Sequence, residues 1–164
     1  MVEALNRNQM AWRVADDIEE GAFVNLGVGM PLSILNYVPE GREIIFHSEN
    51  GILGMKPLEA GTDPNPDLVN AGKQPVSMLP GGAFFHHSDS FAMIRGGHID
   101  ICVLGAYEVG ENGDLANWRL PTSRPRRRSA APWTWPTARA GCLSSANITA
   151  RTAPPRSSSS APCR

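Results

Sequence analysis

Residues 22–31 read A-F-V-N-L-G-V-G-M-P, and this stretch sets the architecture that the rest of the sequence follows. The short apolar run that ends at Gly27 predicts a buried strand, and Pro31 stands where a helix can begin. Glycines between a strand and a helix let the main chain approach a ligand closely, although such a turn is also common as a purely structural connection. The stretch therefore predicts one strand–turn–helix unit of an α/β fold.

An amphipathic helix is predicted before this unit, over residues 4–20, because apolar residues recur there at helical spacing and Gly21 follows as a stop signal. The residues of this apolar face and their neighbours are Met10, Trp12, Val14, Ala15 and Ile18.

The same alternation of strand and helix continues along the chain. Strands are predicted near 43–47 and 99–104, with a helix over 88–94 and a proline-rich loop over 55–75. Strands that alternate with helices indicate an open, mostly parallel sheet flanked by helices, which places the functional site at the carboxyl ends of the strands.

Composition excludes several classes of protein. Hydrophobic residues make up 41% of the 164 residues, which is enough for the packed core of one domain. The sequence has no run near the roughly 20 apolar residues that span a bilayer. It also begins without the basic flank and apolar run of a signal peptide. We therefore expect a cytoplasmic protein with no membrane segment.

A metal site is not expected. Cys102, Cys142 and Cys163 lack the spacing of metal ligands. The adjacent histidines His86 and His87 cannot easily bind one ion, and no cluster of cysteines or carboxylates accompanies them.

Ser48-Glu49-Asn50-Gly51 places a carboxylate at the end of the strand predicted over 43–47. A glutamate followed by a turn-forming Asn-Gly pair is held firmly and faces whatever the sheet binds. An exposed glutamate at a turn is the alternative, and spacing alone does not separate the two. His47 is interpreted as a packed or solvated histidine rather than a catalyst.

Two further segments have patterns typical of ligand binding or of a turn. In Leu79–His87, the paired Gly81 and Gly82 could present N–H groups to a ligand while the aromatic residues pack. The run Asn112-Gly113-Asp114 is typical of a hairpin turn, and a structural role is favoured there.

Taken in order, these stretches resemble one family. V-N-L-G-V-G-M-P, S-E-N-G-I-L-G, N-A-G-K-Q-P-V, L-P-G-G-A-F-F, S-F-A-M-I-R-G-G-H-I-D and L-G-A-Y-E-V lie between residues 4 and 118. Together they are similar to the B (beta) subunit of class I 3-oxoacid coenzyme A transferases, and S-E-N-G is the most specific of them.

The resemblance implies a ping-pong reaction in which Glu49 is the nucleophile and forms a thioester with coenzyme A. It implies that Asn25 lies near the reacting carbonyl, and that Asn50 and Gly51 fix the nucleophile's turn. Coenzyme A is then a substrate, and no cofactor or metal is needed. The residues expected to contact coenzyme A are Gly27, Gly29, Gly81 and Gly82.

The resemblance also implies a partner, the A (alpha) subunit of a CoA-transferase, in a heterodimer or heterotetramer. Succinyl-CoA is the expected donor, with 3-oxoadipate favoured as acceptor and acetoacetate next. A distal carboxylate would require a cation in the pocket, and the sequence does not place Arg95 or Lys73 there. A non-catalytic binding or regulatory protein on the same fold is the alternative.

Residues 119–164 differ from the rest of the chain. Residues 1–118 carry 16 acidic and 6 basic groups, whereas 119–164 carry nine arginines and no acidic group. Arg, Ala, Pro, Ser and Thr account for 37 of these 46 residues, which predicts a disordered segment. A basic tail suggests nucleic-acid binding, but this one has no recognition element, so no nucleic-acid partner is expected.

A shifted reading frame is one hypothesis for this composition, and a genuine disordered basic tail is the alternative. Suitable codons for S-A-A-P-W-T-W-P at 129–136 spell G-G-A-M-D-L-A in another frame, which is how the family continues. The same offset turns 147–159 into H-H-G-K-D-G-T-P-K-I-V-E-Q. We therefore predict that 1–121 is the N-terminal part of a transferase domain and that 122–164 is a disordered, out-of-frame tail. Because the resemblance implies that the lost G-G-A-M-D-L loop supplies a backbone amide near the reacting carbonyl, the 164-residue chain is expected to be inactive.

Overall fold

The computed structural model describes residues 5–106 and, for the backbone alone, residues 108–109, 115–116 and 141–144. Two α-helices and one 3₁₀ helix accompany the strands. In chain order the elements are α1 (Arg7–Asp17), β1 (Phe23–Leu26), the 3₁₀ helix (Met30–Asn36), β2 (Ile45–Ser48), β3 (Ile52–Pro57), β4 (Val76–Phe84), α2 (His87–Arg95), β5 (Ile101–Leu104), β6 (Glu108–Val109), β7 (Leu115–Ala116) and β8 (Gly141–Ser144).

Six of these strands form one sheet in the order β4-β3-β2-β1-β5-β8. The strands β2, β1, β5 and β8 pair in parallel, and β3 and β4 extend the sheet in the antiparallel direction. The predicted open, mostly parallel α/β sheet is confirmed. At its centre, Asn25 of β1 stands opposite His47 on one side and Cys102 on the other.

The first helix is shorter at both ends than the sequence predicted. It begins after a capping box, in which the Asn6 side chain accepts a hydrogen bond from the Gln9 N–H while the Gln9 side chain accepts one from the Asn6 N–H. At the other end, the Arg42 guanidinium donates to the carbonyl oxygens of Ala15 and Ile18. These contacts satisfy backbone groups that every helix end leaves free.

The apolar face of α1 differs in part from the predicted one. Trp12 is 54% exposed and Met10 is half-buried. Ala11, which lies between them in the sequence, is the residue of this turn that faces the core. The residues of α1 and its C-cap that are buried are Ala11, Val14, Ala15 and Ile18.

The sheet is covered on both faces, as predicted. Alternate residues of β5 point to opposite sides: Val103 packs with α1 in the larger core, and Leu104 packs with α2 in a smaller one. Fully burying an aliphatic side chain contributes about 1.5–3 kcal/mol, so the two clusters fix the order of the layers. Together with Ala15 and Ile18, the fully buried apolar residues of these cores are Val24, Leu26, Met55, Ile94, Ile99 and Val103.

The antiparallel strands β3 and β4 were not predicted, and the predicted loop 55–75 was wrong at its first residues because β3 extends to Pro57. Strand β4 was not predicted because it contains proline and glycine at 80–82. It lies at the edge of the sheet, where such residues are tolerated. The two strands approach closely where Gly54 faces Gly82, since a Cβ built on Gly54 would lie 3.1 Å from the Gly82 Cα.

Four residues of the segment 122–164, which was predicted to be disordered, are described by the structure. Gly141–Ser144 forms β8, whose backbone pairs in parallel with all of β5. An extended segment can add to an open sheet edge through main-chain hydrogen bonds, which need no particular side-chain pattern, and composition therefore does not reveal it. The other tail residues and the boundary predicted at 121 lie outside the described residues.

A second small sheet lies between the core and the tail. The backbones of β6 and β7 pair in the antiparallel direction, with Glu108 opposite Ala116. This is the pairing expected on either side of the turn predicted at 112–114, and the turn itself lies outside the described residues. No helix in the described part of the chain is long and apolar enough to span a bilayer.

Candidate active site

A buried polar pair occupies the middle of the sheet. Asn25 on β1 and His47 on β2 are opposite each other in register, and both side chains are fully buried. The Asn25 Oδ1 lies 2.6 Å from the His47 Nδ1, and the His47 Nε2 lies 3.0 Å from the Ser90 Oγ of α2. Phe85 stacks on the imidazole at 5.8 Å between ring centroids. Both ring nitrogens of His47 are therefore used inside the protein.

The chemistry of these groups fixes the protons of the network. An amide oxygen only accepts hydrogen bonds, so the His47 Nδ1–H donates to Asn25. Burial lowers the pKa of His47 from 6.5 to about 4, and the ring is neutral at pH 7. The Nε2 of a neutral ring that is protonated on Nδ1 is an acceptor, and the Ser90 hydroxyl donates to it.

Glu49 follows β2 directly, two residues after His47. The side chain is half-buried, and its Oε2 is fully buried without a hydrogen-bond partner. Burial raises the pKa of Glu49, and the charge of His87 on α2 acts against this rise. A carboxylate in this position is desolvated and more basic than an ordinary glutamate, which makes it a stronger nucleophile.

A neighbouring loop holds the turn that carries Glu49. The Ala71 N–H donates to the Ser48 Oγ at 2.9 Å, and the Asn50 Nδ2 donates to the Val69 carbonyl at 2.8 Å. Inside this loop, the buried Asn70 Oδ1 accepts hydrogen bonds from two main-chain N–H groups, at 2.9 and 3.0 Å. The residues on both sides of Glu49 are thus anchored to the same loop.

Gly51 completes the turn. Its φ is +107°, and its N–H donates to the Ser48 carbonyl at 2.9 Å while its carbonyl accepts from the Phe85 N–H at 3.0 Å. A Cβ at this position would collide with the Phe85 carbonyl oxygen. Only glycine fits both the backbone angle and this close approach.

Asn25 and Glu49 complement each other chemically. The Asn25 Nδ2 and the Glu49 Oε2 are the buried side-chain atoms left without a hydrogen-bond partner in residues 5–106. Because β1 and β2 are parallel, both residues lie toward the same carboxyl end of the sheet. Buried polar groups without a hydrogen-bond partner reduce the stability of the folded protein, and such groups are typical of sites that bind a ligand. The arrangement offers a nucleophilic carboxylate and an N–H donor for a developing oxyanion.

The two glycines predicted to contact coenzyme A after β1 differ in their surroundings. The Gly27 N–H donates to the Val103 carbonyl at 2.9 Å, and a Cβ there would lie 3.0 Å from the same oxygen. Gly27 therefore serves the close packing of β1 on β5, and its N–H is not available to a ligand. Gly29 is exposed, with a φ of +101° and open space around its Cα.

The other two, Gly81 and Gly82, lie inside β4 rather than in a loop after a strand. A Cβ on Gly82 would come within 3.0 Å of the Leu53 carbonyl oxygen, so this glycine is required for the pairing of β3 with β4. Gly81 is exposed.

The supporting roles of His47, Ser90 and Asn70 were not predicted from the sequence. His47 was interpreted as a packed or solvated histidine, and no role was assigned to Ser90 or Asn70. Alternation along β2 offered a signal, because it places His47 on the face opposite Phe46, which packs in the larger core. Among the described residues, no group of three or more His, Cys, Asp or Glu side chains could hold a metal ion.

Neither candidate cation for the acceptor's carboxylate is buried. Lys73 is exposed, with a φ of 62°, in the loop that anchors Glu49. Arg95 lies in the last turn of α2, over the ring of Phe91 at 5.7 Å.

The pKa of His47 predicts an acid sensitivity. Between pH 6.5 and 4 the unfolded chain binds a proton on this histidine and the folded chain does not, so stability falls as the pH falls. The expected loss is at most about 3 kcal/mol across this window. In urea unfolding at several pH values, His47→Gln should remove this part of the pH dependence, and the exposed His98→Gln should keep it. Equal slopes for His47→Gln and the unsubstituted chain would contradict the assignment.

Comparison with known proteins identifies the family of the chain. The sequence profile of the coenzyme A transferase family matches residues 7–132. Over 114 residues the chain is 58% identical to the B (beta) subunit of 3-oxoadipate CoA-transferase from Acinetobacter baylyi, covering 70% of this chain and 52% of that protein. It is 52% identical over 117 residues to the B (beta) subunit of succinyl-CoA:3-ketoacid coenzyme A transferase from Helicobacter pylori, covering 70% and 55%. The chain thus spans about half the length of these relatives.

Solved structures share the fold. An acyl-CoA transferase from Escherichia coli O157:H7, crystallised as a thioester complex with CoA, superposes with a TM-score of 0.50 at 22% identity, over 74% of this chain and 21% of that one. A variant of the decarboxylase AibA/AibB gives a TM-score of 0.51 at 20% identity, over 82% and 55%. With the profile match extending over most of its length, the chain belongs to the coenzyme A transferase family.

Proposed function

We propose that this chain is the N-terminal part of the beta subunit of a 3-oxoacid CoA-transferase, and that the frame-restored subunit transfers coenzyme A from succinyl-CoA to 3-oxoadipate through a thioester on Glu49. One observation carries the proposal. A half-buried carboxylate with an unpartnered oxygen lies at the carboxyl end of a central strand, on a turn anchored from both sides. The names of the relatives support the same reaction class.

In the first half-reaction the Glu49 carboxylate attacks the thioester carbonyl of succinyl-CoA. The C–S bond breaks, which gives a mixed anhydride between succinate and Glu49 and releases CoA as a thiolate. The thiolate then attacks the Glu49 carboxyl carbon, the anhydride C–O bond breaks, and succinate leaves. Glu49 now carries the CoA thioester, and no electrons have been gained or lost.

The second half-reaction runs these steps in reverse with the acceptor. The 3-oxoadipate carboxylate attacks the glutamyl thioester and forms a new anhydride, and the CoA thiolate attacks the acceptor's carbonyl and frees Glu49. Since one product leaves before the acceptor reacts, the kinetics are ping-pong. The nucleophile already carries its negative charge, so no general base is required.

The side chains of the site have distinct roles in these steps. Each attack places negative charge on a carbonyl oxygen, and the unpartnered Asn25 Nδ2 is the N–H donor that would stabilise it. Half-burial makes Glu49 more basic and keeps water away from it. The hydrogen bonds of Ser48 and Asn50 hold the turn, so that the carboxylate is oriented before the substrate arrives.

The choice of acceptor follows the relatives. The proteins named for 3-oxoadipate are 58% identical to this chain, and those named for 3-ketoacids with succinyl-CoA are 51–52% identical. Acetoacetate, which lacks the distal carboxylate, is the second candidate. The ratio of kcat/KM for the two acids, measured with the alpha subunit present, decides between them.

The proposal includes a partner and a shifted frame. The alignments with the 3-oxoadipate relatives cover 114 to 118 residues of proteins about twice as long, and the composition changes at residue 119. We infer that the frame changes between about residues 121 and 129, and that the in-frame chain acts with the alpha subunit. Resequencing of the gene tests the shift, and an intact frame through Arg164 would contradict it.

The proposal predicts a covalent adduct on Glu49. When the frame-restored chain and the alpha subunit are incubated with succinyl-CoA without acceptor, the thioester should accumulate. Borohydride should reduce it to an alcohol, which mass spectrometry should find in the peptide containing residues 43–56. Glu49→Gln should lose at least about 10³-fold of kcat, because a neutral amide does not attack the thioester.

Exposed glutamates in the same region provide the matched controls. Glu40→Gln and Glu43→Gln make the same chemical change outside the site and should keep activity within about two-fold. An adduct on either of these residues, or normal turnover by Glu49→Gln, would contradict the mechanism. Specific binding of acyl-CoA without any exchange would instead favour a non-catalytic binding protein.

A further inference from the structure

The Asn25 amide can stabilise an oxyanion only in one of its two orientations. Rotation by 180° about the last side-chain bond exchanges Oδ1 and Nδ2, and the reversed amide would present an oxygen to the developing negative charge. In this structure the Oδ1 is bound at 2.6 Å by the His47 Nδ1–H, and the Nδ2 is left without a partner. The orientation of the amide is therefore set by His47.

We propose that His47 and Ser90 form a positioning relay that holds the Asn25 amide with its Nδ2 toward the reacting carbonyl. The proposal rests on the function proposed above. It deepens that function by assigning two residues that lie behind the reacting groups, one on the neighbouring strand and one on α2.

His47 is a positioning residue and not a catalytic one. Its side chain is fully buried, and each ring nitrogen already has a partner inside the protein, at 2.6 and 3.0 Å. The ring has no free atom with which to accept a proton from a substrate. Its effect on the reaction must pass through Asn25.

The surroundings of the imidazole hold it in one position. Phe85 stacks on the ring at an interplanar angle of 14°, and the Ser90 hydroxyl binds the Nε2 from α2. Removing this hydroxyl would leave a buried ring nitrogen without a partner, which costs stability and frees the ring to turn. The relay thus joins β1, β2 and α2 in one line of hydrogen bonds that ends at the Asn25 amide.

Two amide substitutions of His47 separate positioning from packing. The Asn amide nitrogen can take the place of the ring Nδ1 and keep a donor for Asn25, whereas the longer Gln side chain carries its amide to the Nε2 position and loses that donor. His47→Gln should lower kcat roughly 10- to 100-fold, below the 10²–10³-fold effect of deleting an oxyanion donor. The KM for succinyl-CoA should stay within about two-fold. His47→Asn should recover about ten-fold of the lost kcat.

A double-mutant cycle tests whether His47 acts through Asn25. The cycle uses the complex of the frame-restored chain with the alpha subunit. Active sites are counted by trapping the thioester with borohydride, and each rate is divided by this count. Misfolded protein therefore does not affect the kcat values. In an Asn25→Ala background, His47→Gln should change kcat by less than about two-fold. Additive losses would overturn the relay, and so would a His47→Gln enzyme with unchanged kcat.

Ser90 offers a second test with a milder change. Ser90→Ala should lower kcat several-fold, and Ser90→Thr, which keeps the hydroxyl, should restore it. Equal kcat values for these two variants would remove Ser90 from the relay.

A measurement without turnover keeps the two proposals separate. Long-range ¹H–¹⁵N NMR of the 164-residue chain should show a neutral His47 with the proton on Nδ1 at pH 7. A proton on Nε2 would overturn the relay whatever the activity. If the unsubstituted complex forms no Glu49 thioester, the proposed function fails. If the thioester forms and the cycle is additive, the function stands and the relay alone fails.

Discussion

The hydrogen bond between Asn25 and His47 fixes the register of the two central strands, and with it the position of the site at their carboxyl ends. It joins the two central parallel strands between apolar residues of the core, and it forms only when Asn25 and His47 are opposite in register. A slip of β2 by one residue would turn His47 toward the larger core. The same register brings Glu49, two residues beyond His47, to the carboxyl end of the sheet, toward which Asn25 also lies.

The site is built from groups that the fold would be more stable without. A half-buried carboxylate with a raised pKa and an amide N–H with no partner each oppose folding, and they persist because the surrounding structure determines their positions. The hydrogen bonds from the loop to Ser48 and Asn50 and the close approach of Gly51 to Phe85 provide that support. Such a conflict between stability and placement is expected at a functional site.

The sequence predicted the parts of the fold that repeat a strong pattern. The apolar runs that form β1, β2 and β5 and the helical spacing in α1 and α2 were recognised within a few residues. Strand β4 was missed because an edge strand can contain Pro80 and Gly82 and therefore resembles a loop, and its antiparallel partner β3 was missed with it. β8 was missed because main-chain pairing needs no side-chain pattern. Glu49 was proposed from its motif, whereas the contact between His47 and Ser90 joins residues 43 positions apart and has no local pattern in the sequence.

The chain belongs to the coenzyme A transferase family, and the proposed mechanism has Asn25 and Glu49 act on the same carbonyl. A crystal structure of the frame-restored chain with the alpha subunit, soaked with succinyl-CoA without acceptor, would show both groups at the thioester. We expect continuous density from the Glu49 Cδ to the CoA sulfur, with the Asn25 Nδ2 about 3 Å from the thioester oxygen. A thioester on another residue, or an Asn25 amide turned away from that oxygen, would contradict this mechanism.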